Sequence, residues 1–147
     1  MEIIIRPSTP QDFPTIHSLF LEFASFQKTP EKVKITVEQM QEDKDLFNCL
    51  VAEGTEGKII GFATWFFAYY SWTGKAIYLD DLYVQDAFRK EGIGGRLLKA
   101  VIDLAKIEKC TKVRWLVSKW NTNAIEFYSK KMGAIITDTE SCCDLTL

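Results

Sequence analysis

Leu82-Tyr83-Val84-Gln85-Asp86-Ala87-Phe88-Arg89-Lys90-Glu91-Gly92-Ile93-Gly94-Gly95-Arg96-Leu97-Leu98 is the stretch whose reading decides this chain. It opens as an apolar strand, crosses a polar turn, meets three closely spaced glycines and enters a helix. From Ile93 onward, Leu97, Leu98, Val101, Ile102 and Ala105 fall at helical spacing. A glycine weakens a helix by about 1 kcal/mol relative to alanine. It is useful where φ must be positive or where something must come close to the backbone. A helix N-terminus offers free N–H groups and the positive end of the dipole, so the junction suits an anion, phosphate best. A tight turn with no ligand accounts for the glycines as well.

Two nucleotide motifs fit the spelling poorly. A Walker loop needs Lys-Ser or Lys-Thr after its last glycine, and Gly95 is followed by Arg96-Leu97. A dinucleotide fingerprint needs its third glycine where Leu97 stands, and it normally opens the first strand-helix unit.

The spelling Arg89-x-x-Gly92-x-Gly94-Gly95 after an apolar strand resembles the pyrophosphate signature of the GNAT superfamily of N-acetyltransferases. The resemblance implies acetyl-CoA as cosubstrate. Its pyrophosphate would lie on Arg89, Lys90, Glu91, Gly92, Ile93, Gly94, Gly95 and Arg96, chiefly on main-chain N–H groups. Its pantetheine arm would lie along Leu82, Tyr83 and Val84, as an added strand would. A second stretch, Asn121-x-x-Ala124-x-x-Phe127-Tyr128 followed by Gly133-Ala134, resembles the other GNAT motif. There the resemblance gives Asn121 and Ala124 to the cofactor and makes Tyr128 the acid for the departing thiolate. Within the superfamily, the chain is most similar to the spermidine/spermine N-acetyltransferase group, which includes thialysine acetyltransferases. Ile5-Arg6-Pro7, Ile60-Gly61-Phe62-Ala63, Trp72-x-Gly74-Lys75, Tyr78-Leu79-Asp80-Asp81-Leu82-Tyr83-Val84 and Leu116-Val117-x-x-Trp120-Asn121 carry that similarity.

The 147 residues read as one domain, 1–147, with 47% apolar and 26% charged residues, which places the chain among globular proteins. A net charge of −2 and the lack of a basic run argue against nucleic acid. No apolar run approaches the roughly 20 residues of a membrane span. The strand-like start Met1-Glu2-Ile3-Ile4-Ile5-Arg6 does not read as a signal peptide. Cys49, Cys110, Cys142 and Cys143 form no Cys-x-x-Cys pair and read as reduced thiols of a cytoplasmic protein. With His17 as the single histidine, no metal is expected.

Taken in order, periodicity predicts a buried strand over 2–6 and helices over 12–26 and about 36–44, the second capped by Thr36. Strands follow over 47–53, 58–70 and 76–84, then the long helix to about 108 and a strand over 112–118. A helix over 121–132, ended by Gly133, precedes closing strands over 134–137 and 142–147. From the residues alone this is α/β or α+β with a mixed sheet. The resemblance implies the GNAT fold: a mostly antiparallel sheet flanked by helices, with one parallel strand pair splayed for acetyl-CoA.

Acetyl transfer to an amine needs the amine neutral, and an amine of pKa about 10.4 is neutral in only about one molecule in a few thousand at pH 7. Asp80 and Asp81 end the apolar run Ile77-Tyr78-Leu79, where carboxylates are out of place unless the strand reaches solvent. Strand alternation sends the two to opposite faces unless a bulge intervenes. The resemblance favours Asp80 as base or amine anchor, with Asp81 as its support. Tyr128, read by itself, is equally an aromatic packed beside Phe127.

On the amine side stand Gln27, Asp80 and Trp115. Gln27 occupies the position where the polyamine enzymes carry an acid, and Lys119 replaces another. These departures predict a small primary amine, such as a lysine analogue or short diamine, over spermine. Attack would be direct, in a ternary complex. Protein acetylation and a non-catalytic acyl-CoA-binding role are the alternatives. The aromatic run Trp65-Phe66-Phe67-Ala68-Tyr69-Tyr70 reads as a pocket wall, as core under the first helix, or as the interface of a homodimer.

Overall fold

The computed structural model describes residues 2–147, which divide into two compact units, one ending at Trp115 and the other running Leu116–Leu147. The first unit is built on a five-stranded sheet in the order β1-β2-β3-β4-β5. The strands are β1 (Ile4–Pro7), β2 (Asn48–Glu53), β3 (Ile59–Tyr70), β4 (Gly74–Val84) and β5 (Val113–Arg114). The first four pair antiparallel in sequence order, and β4 pairs parallel with β5. The long helix α3 (Ile93–Ile107) makes the crossover that a parallel pair requires.

The two faces of the sheet are covered by different helices. Helix α1 (Phe13–Phe26) and the short α2 (Val37–Glu42) lie on one face, where Phe13, Ile16, Leu19 and Met40 close over Cys49, Val51, Phe62 and Tyr83. Helix α3 lies on the other, burying Ile93, Leu97, Leu98, Val101 and Ala105. Alternation along β4 assigns Tyr83 to the α1 face and Val84 to the α3 face. Thr36 caps α2 as expected, its Oγ1 accepting from the Gln39 N–H at 3.1 Å. The turn before α1 is held by Arg6, whose guanidinium donates to both carboxylate oxygens of Asp12 at 2.8 and 3.1 Å and also to Glu53.

Three sequence expectations change. The first strand is an edge strand with Ile4 half exposed, so it is not buried on both sides. The expected 112–118 strand pairs only at Val113 and Arg114, opposite Ile77 and Tyr78, because β4 bulges just beyond. The closing strands do not form: the residues after Met132 adopt neither helix nor strand, and Ile135 is almost fully exposed. β-propensity becomes a strand only where a partner ladder accepts it, and no described residue pairs with this segment.

The second unit holds α4 (Thr122–Glu126), which continues as one π-helical turn over Phe127–Lys131. Asn121 caps it, with Oδ1 accepting from the Ala124 N–H at 3.2 Å. Gly133 takes φ +73, and the next N–H, from Ala134, donates back to the Tyr128 carbonyl at 2.9 Å. Among the described residues, no helix is long and apolar enough to cross a membrane.

Candidate active site

The decisive local feature is a bulge in β4. Thr64 of β3 pairs with Asp81, while the next residue, Trp65, pairs with Leu79. Asp80 is therefore the extra residue, opposite nothing. A bulge turns consecutive side chains toward one side instead of alternating them. Both carboxylates accordingly line one cavity of about 600 Å³ on the α1 side of the sheet. Its walls include Phe20, Phe23, Phe47, Trp65 and Phe66, with Gln27 at the end of α1. That volume is ordinary for a small-molecule site.

Burial shapes the acids. Desolvation raises the Asp80 carboxyl above its ordinary value. Asp81 is pushed up to about 6, first by desolvation and then by the neighbouring Asp80 charge. Two interacting acids titrate as a pair, so the proton belongs to both. Thr64 fixes the pair's backbone, its Oγ1 accepting the Asp81 N–H at 3.2 Å. Thr64 was missed in the sequence, although a hydroxyl inside the buried run Phe62-Ala63-Thr64-Trp65 is a signal of its own. Lys32 and Lys34, which also line the cavity, gave no signal, being two lysines in a polar loop.

A second cavity, of about 340 Å³, lies on the α3 side, bounded by Leu82, Val84, Phe88, Arg89, Lys90, Gly92, Ile93, Gly94 and Gly95. Asp81 lines the first cavity and Leu82 the second, so consecutive residues of β4 border the two. Gly92 caps α3 at φ +78, which explains that glycine by conformation alone. Gly94 and Gly95 lie inside the helix with no positive φ. A Cβ at Gly95 would meet nothing within 4 Å, and at Gly94 only an ordinary contact with Val84 at 3.8 Å. Neither fold nor packing needs these two glycines. Helical Cβ atoms lean toward the N-terminus, so side chains there would crowd an anion approaching the free N–H groups. The cradle thus fits a phosphate-bearing group.

The main chain of β4 fits an extended arm. Gln85 donates its N–H to Ile60 of β3 at 2.9 Å, so by alternation Leu82 and Val84 point their main-chain groups away from β3. Within the first unit no strand pairs with them on that side, since β5 ends at Arg114, opposite Tyr78.

Of the other anticipated residues, Arg89 and Lys90 border the α3-side cavity and the rest lie elsewhere. Arg89 turns inward: its Nε donates to the Val84 carbonyl at 2.9 Å, and its guanidinium stacks on Phe26 and Tyr83 at 4.4 and 5.4 Å. It holds the loop to α1. The Arg96 N–H donates to Gly92 at 3.0 Å and its guanidinium to the Ile3 carbonyl at 2.7 Å, while Glu91 lies outside the cavity lining. Trp115 lines neither cavity. Asn121, Ala124 and Tyr128 belong to the second unit, where burial raises the Tyr128 hydroxyl above its usual range. In the aromatic run, Trp65 and Phe66 line the α1-side cavity, Phe66 also stacking on Tyr78, while Phe66, Phe67 and Tyr69 are exposed, as is Trp72 in the turn beyond.

Known proteins resemble this chain in sequence and in fold. The Acetyltransferase (GNAT) family model matches residues 13–134. The thialysine N-epsilon-acetyltransferase of Sus scrofa is 34% identical over 143 residues, covering 90% of this chain and 84% of that protein. The spermidine/spermine N(1)-acetyltransferase-like protein 1 of Homo sapiens is 34% identical over 146 residues, covering 92% of this chain and 21% of that one. Among solved structures, an aminoglycoside acetyltransferase from an uncultured soil metagenomic sample superposes with a TM-score of 0.81 at 22% identity, covering 98% of this chain and 97% of that one. This last match concerns the fold.

Proposed function

Because the chain belongs to the GNAT acetyltransferase family and is an N-acetyltransferase, we propose that it acetylates the primary amine of a small molecule in the cavity beneath α1. The bulge that turns Asp80 and Asp81 into one walled cavity carries this reading. Acetyl-CoA supplies the activated acetyl group. The carboxylate pair attracts the ammonium ion, and an acid pushed up to about 6 is a better base than an ordinary aspartate while staying mostly ionised at pH 7. The pair takes the proton as the amine attacks directly, in one ternary complex. Leu82 and Val84 offer main-chain hydrogen bonds to the pantetheine arm, and the N–H groups of Ile93, Gly94 and Gly95 offer a cradle for phosphate. Tyr128, taken from the family motif, gives its proton to the thiolate.

A cavity with aromatic walls supports a small amine over a peptide, and the lack of an acid at Gln27 supports a short amine over spermine. The exposed Phe67, Tyr69 and Trp72 support a homodimer joined at this end of the β3–β4 hairpin, and the free thiols support a cytoplasmic setting. The test is CoA release with thialysine, lysine, short diamines, spermidine, spermine and a peptide N-terminus as acceptors. Turnover confined to the small amines is the expected result. A preference for spermine or for the peptide would overturn the assignment.

A further inference from the structure

We propose that Lys32 and Lys34 hold the carboxylate of a zwitterionic substrate, so that the site accepts an α,ω-diamino acid and turns away the diamine of equal length. This rests on the proposed role of the aspartate pair. Four charged residues line the amine-side cavity: Asp80 and Asp81 from the sheet, Lys32 and Lys34 from the loop between α1 and α2. The two signs therefore come from different walls. Neither lysine enters an ion pair with any described residue, so their charge is not spent within the protein. The loop is held in place: Lys32 donates its N–H to Thr29 at 3.0 Å, and the His17 ring donates from Nε2 to the Ile35 carbonyl at 2.8 Å.

A diamine that docks one ammonium on Asp80 and Asp81 has only a second cation for the lysines, and like charges repel. An α,ω-diamino acid brings a carboxylate as well, while its α-amino group can use the side-chain oxygens of Gln27, Thr29 and Asn48.

The test pairs lysine with cadaverine and ornithine with putrescine, which differ only by the carboxylate. Wild-type protein should favour the amino acid by about tenfold in kcat/KM, as suits two partly exposed charge contacts. In the K32Q/K34Q variant the gap should close, through a raised KM for the amino acid and improved use of the diamine. The K32E/K34E variant should prefer the diamine. Equal use of both partners by wild-type protein, or a gap that survives in both variants, would overturn the proposal. Thermal melting reports whether the variants fold. Calorimetric binding of lysine and cadaverine separates the two claims: if no small amine is acetylated, the small-amine reading fails. Lysine binding that is lost in K32Q/K34Q would still support the anchor, and unchanged binding would refute it.

Discussion

Replacing Asp81 with Asn should make the protein more stable and far less active at once. In the folded chain the carboxyl is pushed from its ordinary 3.8 to about 6, mainly because burial disfavours its charge. At 1.36 kcal/mol per pH unit the difference corresponds to about 3 kcal/mol. The group keeps partial contact with solvent, and screening reduces this to about 1–2 kcal/mol. The sign follows from proton counting. The folded state holds its proton to higher pH than the unfolded state does, so between about pH 4 and pH 6 the unfolded chain binds fewer protons. Stability contributed by this group falls across that window, and the full penalty applies at neutral pH. Asparagine carries no charge and escapes it. Urea unfolding of both proteins at pH 4, 5, 6 and 7.5 should show little difference at pH 4 and a gain of about 1–2 kcal/mol for D81N at pH 7.5, with unchanged m. Turnover should drop by about 100-fold or more. A variant less stable than wild type at pH 7.5, or a gain that does not vary with pH, would refute the claim that desolvation of this carboxyl is what the fold tolerates for the sake of the site.

Gly95→Ala should raise the melting temperature of the ligand-free protein by about 2–4 °C, since it adds about 1 kcal/mol of helix propensity without a clash. It should also raise the KM for acetyl-CoA; a lower melting temperature with unchanged KM would contradict the anion cradle. Tyr128→Phe should lower kcat by about 100-fold while acetyl-CoA binding, followed by calorimetry, stays intact; undiminished turnover would remove the acid assignment. Arg6→Met should cost about 1–2 kcal/mol at pH 7, because it strips the partner that holds the Asp12 carboxyl below its usual range. That loss should shrink as pH falls through the Asp12 titration, where the native ion pair itself disappears; equal losses at pH 3 and pH 7 would show that the pair contributes little.

How much was legible varied with how local the cause was. Helices α1 and α3 and strands β2 to β4 follow from periodicity within each segment, and the structure holds them within two residues of the expected bounds. The glycine turn and the helix it opens were legible because the three glycines and the helix are contiguous in sequence. The placement of Asp80 and Asp81 was not, since alternation alone separates them and the bulge that unites them depends on how β3 pairs with β4. The closing strands failed for a related reason: Ile135 and Ile136 have the right propensity but no ladder to join. Arg89 looked like a phosphate ligand because charge is what a sequence displays, whereas its stacking on Phe26 and Tyr83 depends on the return of α1. Lys32 and Lys34 were invisible for the same reason, their meaning arising only from the cavity they border.

The bulge also bears on how such a chain could change its occupation. With Asp80 removed, Leu79 and Asp81 become consecutive and face Trp65 and Thr64, which are consecutive too, so the ladder between β3 and β4 runs on without interruption. An in-frame loss of a single codon would therefore leave the sheet and the glycine cradle in place while sending the surviving acid and its neighbour to opposite faces. A lineage that lost that codon would keep the sheet and the glycine loop with one carboxylate where two had stood.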